Sequence, residues 1–330
     1  MSSGYLRSVR HPERYHGEGK KPPFFEGWYF KLVDASEPQR WAFIPGIFRS
    51  HDPDRQHAFV QVLNGVEGQA TYHRYASSAF GAEDAPFRVR VGPSTFSLDE
   101  ITLYLQGDDL SVDGTLGFRG VSGWPVTALS PGIMGPFGWL PFLQCYHGVL
   151  GLDHELSGAL TINGRYVDFT GGRGYIEKDW GQAFPSGWVW MQSNHFGRPG
   201  TSLTASIAII PFGPFSFPGF IVGLLVDGHL HRFATHNGSR VEQLSVRERD
   251  VVWVLRNKSE RLEIHASRAQ AALLRGPTTG DMGVRVAESL TATVQVRLTS
   301  LRESRLLFEG VGRNAGLEVV GNTERLVRGR

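Results

Sequence analysis

Two-residue turn signals recur along the chain at intervals that suit β-hairpins. Four of these signals separate runs of alternating or β-branched residues, and they are Asn64-Gly65, Asp113-Gly114, Asn163-Gly164 and Asp227-Gly228. Asn-Gly and Asp-Gly supply the positive φ angles that tight hairpin turns require. Residues 160–169 form the clearest hairpin pattern, and residues 223–233 form a second one. The pattern predicts a chain built from antiparallel strands.

Helical periodicity is scarce in the rest of the chain. From residue 289 to 298, apolar side chains alternate with Thr, Gln and Arg, which predicts a half-buried strand. Residues 261–274 fit a short helix, although Leu262, Ile264 and Ala266 also fit a strand. No repeat with a period of 20 to 50 residues is visible, which argues against a propeller or a solenoid. We therefore predict an all-β protein, with which the 41 Gly and 18 Pro agree.

Length and composition bound the class of protein. A chain of 330 residues can form two domains of ordinary size, and we predict an N-terminal domain over residues 1–180 and a C-terminal domain over 181–330. The net charge of +2 has no accompanying Lys/Arg stripe, so no nucleic-acid partner is expected. The single cysteine, Cys145, excludes an internal disulfide and favours a reducing compartment. The first 21 residues lack the apolar run of a signal peptide, so we expect a cytoplasmic protein.

The most apolar stretch, residues 207–226, is interrupted by Pro211, Pro214 and Pro218. A membrane-spanning helix of about 20 residues would not be broken this often. The stretch therefore predicts a buried pair of strands, and membrane association through contact with the membrane surface remains open. A second irregular stretch, residues 120–142, is rich in Gly, Pro and aromatic side chains. A loop of this length predicts the lid or rim of a binding site.

The first segment that carries chemistry is residues 24–31. In an extended strand, Glu26 shares one face with Phe24 and Trp28, while Tyr29 and Lys31 lie on the other face. An unpaired carboxyl group among aromatic rings has a raised pKa and can act as an acid near neutral pH. A carboxylate held in a structural ion pair is the more common situation. Both interpretations of Glu26 remain open.

The second segment is residues 174–196. If it is extended, Tyr175, Glu177 and Asp179 point to one side, which brings together the parts of a proton relay. Further along, an aromatic wall that ends in amide donors is predicted from the alternation of Trp188, Trp190, Gln192 and Asn194. Aromatic ring faces attract a carbocation, each contributing about 0.5–2 kcal/mol. The alternative interpretation is a Trp-rich core strand.

Histidines provide weaker signals. Tyr146 and His147, with His154 further on, are expected near the same site. His229 and His231 have a spacing that metals can use, but no third ligand is indicated, so no metal site is predicted. The sequence lacks a G-x-S-x-G elbow, a G-x-G-x-x-G loop and a P-loop, so neither a serine nucleophile nor a nucleotide cofactor is expected.

At these segments the sequence resembles the tocopherol cyclase family. The resemblance rests on Phe24-Phe-Glu-Gly-Trp-Tyr-Phe-Lys31 and Gly174-Tyr-Ile-Glu-Lys-Asp-Trp-Gly181. It continues through Phe184-Pro185, Trp188-x-Trp190, Gln192-x-Asn194 and Gly316-Leu-Glu-Val-Val-Gly321. The motifs span nearly the whole chain, and one departure is Asp179, where plant members usually carry Asn.

The resemblance implies two lipocalin-like β domains and an isomerase-type ring closure of a prenylated phenol or quinol to a chromanol. In that reaction an acid protonates a trisubstituted alkene and the phenol oxygen captures the tertiary cation, so no cofactor is expected. The partner would be an apolar small molecule, taken up by peripheral contact with a membrane. Related lipocalin-like proteins include carotenoid hydratases and pericyclic cyclases, so a hydratase and a non-catalytic lipid or pigment carrier remain alternatives.

The predicted site combines these observations. The residues expected to act as acids or in the proton relay are Glu177, Asp179, Tyr175 and Glu26. The residues expected to contact the substrate are Trp28, Tyr29, Lys178, Trp180, Trp188, Trp190, Gln192, Asn194, Tyr146 and His147.

Overall fold

The computed structural model describes residues 8–328 and confirms the all-β prediction. The described chain forms two compact units. The N-terminal unit takes in the described residues up to Phe184 together with Leu274–Arg285. The C-terminal unit takes in Pro185–Leu273 and the described residues from Val286 onward. The domain boundary at residue 180 remains a prediction about independently folding domains.

The N-terminal unit is built on one large antiparallel sheet. Its strands are β1 (Phe24–Val33), β2 (Arg40–Arg49), β3 (His57–Asn64), β4 (Gln69–Tyr75), β5 (Phe80–Asp84), β6 (Phe87–Val91), β7 (Ser94–Ser97), β8 (Glu100–Leu105), β9 (Val112–Ser122), β10 (Cys145–Ile162), β11 (Arg165–Asp168) and β12 (Arg173–Gly181). Their order in the sheet is β4-β3-β2-β1-β12-β10-β9-β8-β7-β6-β5, and β11 pairs with β10. The sheet curls, so that β6 comes close to β2 and β3.

Alternation of side chains fills the interior of this curled sheet. In β6, Phe87, Val89 and Val91 are buried and the two arginines between them are exposed. Because the side chains of a strand alternate with period two, each strand contributes one apolar row to the interior. The largest buried side chains of this core include Trp28, Phe30, Phe43, Phe96 and Phe169.

The C-terminal unit is built on a second curled antiparallel sheet. The strands of this part of the chain are β13 (Gly187–Ser193), β14 (Ser202–Phe212), β15 (Phe215–Val226), β16 (His229–Ala234), β17 (Arg240–Val246), β18 (Asp250–Arg256), β19 (Glu260–Ser267), β20 (Ala272–Pro277), β21 (Met282–Ser300) and β22 (Arg305–Gly321). Their order is β16-β15-β14-β13-β22-β21-β19-β18-β17, and β20 pairs with β21. Most of β20 and the first residues of β21 lie within Leu274–Arg285 and so belong to the N-terminal unit. The core of this unit is rich in Val, Leu and Ile and surrounds Trp253, which is fully buried.

Short helices connect or follow the strands. The α-helix α1 spans Glu324–Arg328, and 3₁₀ turns span Pro53–Arg55, Ser77–Ala79, Gly135–Trp139 and Thr235–Asn237. Within residues 8–328, none of the helices has the length and apolar character needed to cross a membrane.

Most of the turn predictions are confirmed. Asn163 and Asp227 have positive φ angles of 49° and 50° and begin the turns after β10 and β15. The apolar stretch 207–226 forms the hairpin of β14 and β15, as predicted, but the predicted burial fails at residues 211–216, which are exposed because this tip extends beyond the neighbouring strands. Residues 260–267 form strand β19 rather than a helix. The turn predicted at Asp113-Gly114 is wrong, because both residues lie inside β9. A Cβ atom on Gly114 would lie 2.5 Å from the carbonyl oxygen of Ala159, so this glycine permits close strand packing.

Candidate active site

Strand β12 lies between β1 and β10 and divides the predicted site residues between the two faces of the sheet. Ile176 belongs to the interior core, and Lys178 and Trp180 share its face by alternation. Tyr175, Glu177 and Asp179 therefore share one face, as predicted, and this face is the outer one. The register of β1 adds Glu26 and Trp28 to the interior face and Tyr29 to the outer face. The register of β10 places Tyr146 opposite Trp180 and His147 opposite Asp179.

On the interior face, Glu26 and Lys178 form a buried ion pair. Both side chains are fully buried, and Lys178 Nζ donates to Glu26 Oε1 and to the carbonyl oxygen of Arg14, the latter at 2.6 Å. The backbone N–H of His16 donates to Glu26 Oε2 at 2.8 Å. Burial raises the pKa of Glu26, but Lys178 and His16 outweigh it and the net pKa is lowered. This geometry matches the interpretation of Glu26 as one half of a structural ion pair. As a carboxylate, Glu26 has no proton to donate.

Aromatic rings surround this ion pair and pack against the N-terminal segment, residues 13–16. Lys178 Nζ lies 4.5 Å from the ring centroid of Trp28 and 4.8 Å from that of Trp180. The indole N–H of Trp28 donates to the carbonyl oxygen of Glu13 at 3.0 Å. Trp180 stacks with His16 at 4.3 Å and with Tyr146 at 5.4 Å between ring centroids. These predicted substrate contacts are thus occupied by side chains and backbone of the chain itself.

On the outer face, His147 lies between two carboxylates of β12. His147 Nδ1 is 2.9 Å from Asp179 Oδ1, and His147 Nε2 is 3.7 Å from Glu177 Oε2. The hydroxyl of Tyr175 donates to Glu177 Oε2 at 2.5 Å. The geometry follows from strand pairing, because residue 147 faces residue 179 across the ladder and residue 177 is the next on the same face. We call these four side chains the outer cluster.

The outer cluster holds a proton on His147 at neutral pH. Burial lowers the pKa of His147, but the charges of Asp179 and Glu177 and the hydrogen bond to Asp179 raise it to about 9. Exposure of the side chains rises from 7% for Glu177 through 15% for His147 to 29% for Asp179. The cluster therefore runs from a buried carboxylate to one that water reaches. Its ligand atoms on His147, Glu177 and Asp179 lie within 4.8 Å of one another, which is the spacing of a group that could hold a cation.

Two neighbours of the outer cluster were not among the predicted site residues. Lys31 is 1% exposed and lies opposite Tyr175 on β1. Cys145 lies two residues before His147 on the same face, and burial together with the charge of Asp179 raises the pKa of its thiol well above 9. Alternation of side chains could have placed Lys31 on the same face as Tyr29, because it follows Tyr29 by two residues in the first motif. No sequence signal pointed to Cys145.

Apolar side chains border the outer cluster. Cys145 packs against a buried group made up of Phe25, Phe48, Phe59 and Met282, to which Phe184 also packs. The loop between β9 and β10, predicted as a lid or rim, contacts the cluster: the backbone N–H of His147 lies 3.2 Å from Met134 Sδ. In the same loop, Leu129 is 84% exposed and Phe142 is 63% exposed. The outer cluster is therefore flanked by apolar side chains and by the loop between β9 and β10.

In the C-terminal unit, the predicted aromatic wall lies on one face of β13. Val189 and Met191 belong to the core, so Trp188, Trp190 and Gln192 are on the opposite face. The indole N–H of Trp188 donates to Glu318 Oε2 at 2.5 Å, and Glu318 is a polar residue that the sequence prediction left out. Asn194 follows the end of β13 and is 4% exposed.

The remaining histidines have structural surroundings. His154 is fully buried against Phe118, and burial together with Arg173 lowers its pKa to about 3. His231 Nδ1 lies 2.7 Å from Glu260 Oε1.

Sequence comparison identifies a family and relatives of the chain. The family model described as "Tocopherol cyclase-like" matches residues 117–321. The chain is 24% identical to a Zea mays protein named "Tocopherol cyclase, chloroplastic", over 82% of this chain and 68% of that protein. It is 23% identical to the "Probable tocopherol cyclase, chloroplastic" of Oryza sativa subsp. japonica, over 96% and 79%.

Two solved structures share the fold. CghA with Sch210972 superposes with a TM-score of 0.58 at 12% identity, covering 91% of this chain and 89% of that one. Kievitone hydratase from Nectria haematococca superposes with a TM-score of 0.51 at 13% identity, covering 95% and 94%. The fold is lipocalin-like. The family match covers well over half of the chain and includes the whole outer cluster. The chain therefore belongs to the tocopherol cyclase-like family of enzymes.

Proposed function

We propose that the chain is an acid–base enzyme that closes a ring in a prenylated phenol or quinol, with the outer cluster handling the protons. The observation that carries this proposal is the protonated His147 between Glu177 and Asp179, beside apolar side chains. The names of the maize and rice relatives support the same reaction class.

The proposed reaction begins with protonation of a trisubstituted alkene. Water stabilises the ion pair of imidazolium and carboxylate, and an apolar substrate that displaces water favours the neutral pair of imidazole and carboxylic acid. The carboxylic acid then protonates the alkene and leaves a tertiary cation next to a carboxylate. Asp179 is our candidate for this acid, because it is the carboxylate closest to His147 and the more exposed of the two.

Ring closure completes the cycle. The phenol oxygen attacks the tertiary cation, a C–O bond forms and the phenol loses its proton. The proton returns to the cluster, where the carboxylate of Asp179 or the imidazole of His147 accepts it, so the product has the mass of the substrate. Tyr175 donates a hydrogen bond to Glu177 Oε2, and this bond stabilises negative charge on the second carboxylate beside the cation.

Hydration is the second candidate function. Here water in place of the phenol oxygen captures the cation. The 29% exposure of Asp179 favours this alternative, because water can reach the proposed acid. The structurally similar kievitone hydratase carries that activity in its name.

Product mass distinguishes these reactions. We would incubate the protein with a prenylated quinol and analyse the products by mass spectrometry with chromatographic standards. An isomer with the retention of a chromanol indicates cyclisation, a gain of one water indicates hydration, and bound but unchanged quinol indicates a carrier.

A variant pair tests the role of the outer cluster. Asp179→Asn and Glu177→Gln should lower turnover by at least about 100-fold, the usual effect of removing a general acid or its partner. Glu155→Gln is the matched control, because Glu155 is an exposed carboxylate of β10. Wild-type turnover in both cluster variants would refute the proposal.

A further inference from the structure

The hairpin of β14 and β15 extends past both of its neighbours. Strand β13 pairs with residues 203–208 of β14, and β16 pairs with residues 221–226 of β15. Between these stretches, residues 209–212 of β14 pair with residues 215–218 of β15. Residues 209–220 contain four Phe, three Pro and no charged side chain. The segment is thus an uncharged aromatic hairpin that continues beyond the sheet.

The tip of this hairpin, residues 211–216, is exposed. Every residue from 211 to 216 is exposed, with Phe212 at 50% and Phe215 at 77%. Exposed aromatic side chains grouped at one tip mark an interaction surface, whereas single apolar residues scattered over a surface do not. Strands rise by about 3.3 Å per residue, so the tip reaches roughly 7–10 Å beyond residue 210.

A positive charge lies beside the tip. Arg325 of α1 donates from Nη2 to the hydroxyl of Ser216 at 2.7 Å. From residue 207 to residue 226 the chain carries no acidic side chain. Aromatic rings next to arginine match the boundary of a bilayer, where rings enter the acyl region and guanidinium groups meet phosphate.

We propose that the tip of this hairpin inserts into the surface of a membrane that contains anionic lipid, with Arg325 against the headgroups. The reach of the tip matches the depth of about 5–10 Å at which interfacial apolar side chains lie. The proposal does not depend on the acid–base chemistry of the outer cluster. It provides a route by which an apolar ligand dissolved in a bilayer reaches the protein.

Vesicle sedimentation tests this proposal with the full-length protein. We expect it to bind vesicles of phosphatidylcholine and phosphatidylglycerol more tightly than vesicles of phosphatidylcholine alone. Phe212→Ser combined with Phe215→Ser should weaken binding by at least about tenfold, because two aromatic side chains are removed from the interface. Arg325→Gln should weaken it by about fivefold, an effect that added salt should abolish.

The matched control is Leu306→Ser, which removes a 42% exposed apolar side chain of β22 from the same unit. Its binding should equal that of the wild type. Absence of vesicle binding by the wild type, or unchanged binding by the Phe212/Phe215 variant, would overturn the proposal. So would wild-type self-association that the Phe212/Phe215 variant loses, because the tip would then contact a second copy.

A fluorescent label provides a second measurement that does not require loss of binding. Phe215→Cys in a Cys145→Ser background would carry an environment-sensitive fluorophore at the tip. Vesicles should shift its emission to the blue and protect it from iodide. If iodide still quenches the label at the tip when the protein is bound to vesicles, the proposal that the tip inserts is overturned.

Discussion

The two faces of β12 carry two polar clusters that differ in how much water reaches them. On the interior face, Glu26 and Lys178 are fully buried and satisfied by each other and by residues 14–16. On the outer face, His147 and Asp179 keep side-chain exposures of 15% and 29%. A charge pair closed on all sides holds its protonation state, whereas a partly open one can exchange a proton. The closed ion pair on the interior face is therefore suited to stabilising the fold, and the partly exposed cluster on the outer face is suited to proton transfer.

Breaking the interior cluster should have the largest effect. Lys178→Met leaves the carboxylate of Glu26 buried without its ammonium partner, which should cost about 3–5 kcal/mol of unfolding free energy. Chemical denaturation monitored by circular dichroism would measure it. The double variant Glu26→Leu with Lys178→Met removes both charges and should recover most of the loss. Equal stabilities of the wild type and Lys178→Met would show that the ion pair does not hold the interior face together.

Breaking the outer cluster should affect turnover more than folding. His147→Gln removes the group that shares a proton with Asp179 and Glu177, and turnover should fall by at least about 100-fold. Because the side chain is partly exposed, the melting temperature should change much less than in Lys178→Met. Steady-state kinetics and thermal melts on the same preparation test both statements. A loss of folding with normal turnover per folded molecule would reverse the assignment of the two faces.

The pH dependence of stability should separate the clusters further. The pKa of His147 is raised from 6.5 to about 9 in the folded protein, so its contribution is complete below about pH 6.5 and is lost as pH rises through about 9. The pKa of Glu26 is lowered, so its contribution is present above its ordinary value and is lost as pH falls through the folded one. Melting curves of the wild type should show a loss of stability at alkaline pH and another at acid pH. His147→Gln should abolish the alkaline loss of stability and retain the acid one.

The smallest effect is expected from Tyr175→Phe. It removes the hydrogen bond to Glu177 and leaves the ring in place, at a cost of about 1.5–3 kcal/mol for a bond to a charged group. Turnover should fall less than in His147→Gln, and the alkaline loss of stability should move in pH, because Glu177 contributes to the pKa of His147. An alkaline transition identical to that of the wild type would show that Tyr175 does not act on the cluster through Glu177.

Sequence periodicity alone placed several members of the candidate site. Tyr175, Glu177 and Asp179 share a face because they alternate within one strand, and the same rule separated Glu26 from Tyr29. The strand pair of β14 and β15 was predicted on other grounds, from an apolar stretch that three prolines interrupt. Local turn chemistry was less reliable, since Asp113-Gly114 lies within β9, where the glycine serves close packing against Ala159.

The β class, the family and the face on which each side chain of a strand lies follow from the sequence, because these properties depend on neighbours in the chain. Which residues meet depends on strand pairing, which is visible only in the folded protein. His147 faces Asp179 across 32 residues of sequence, and Glu26 meets Lys178 across 152. Both Glu26 and Glu177 stand beside aromatic residues in their motifs, and no local pattern distinguishes the partner each one acquires. The register of β1, β12 and β10 gives one carboxylate a lysine and the other a histidine, because hydrogen bonds between distant strands set that register.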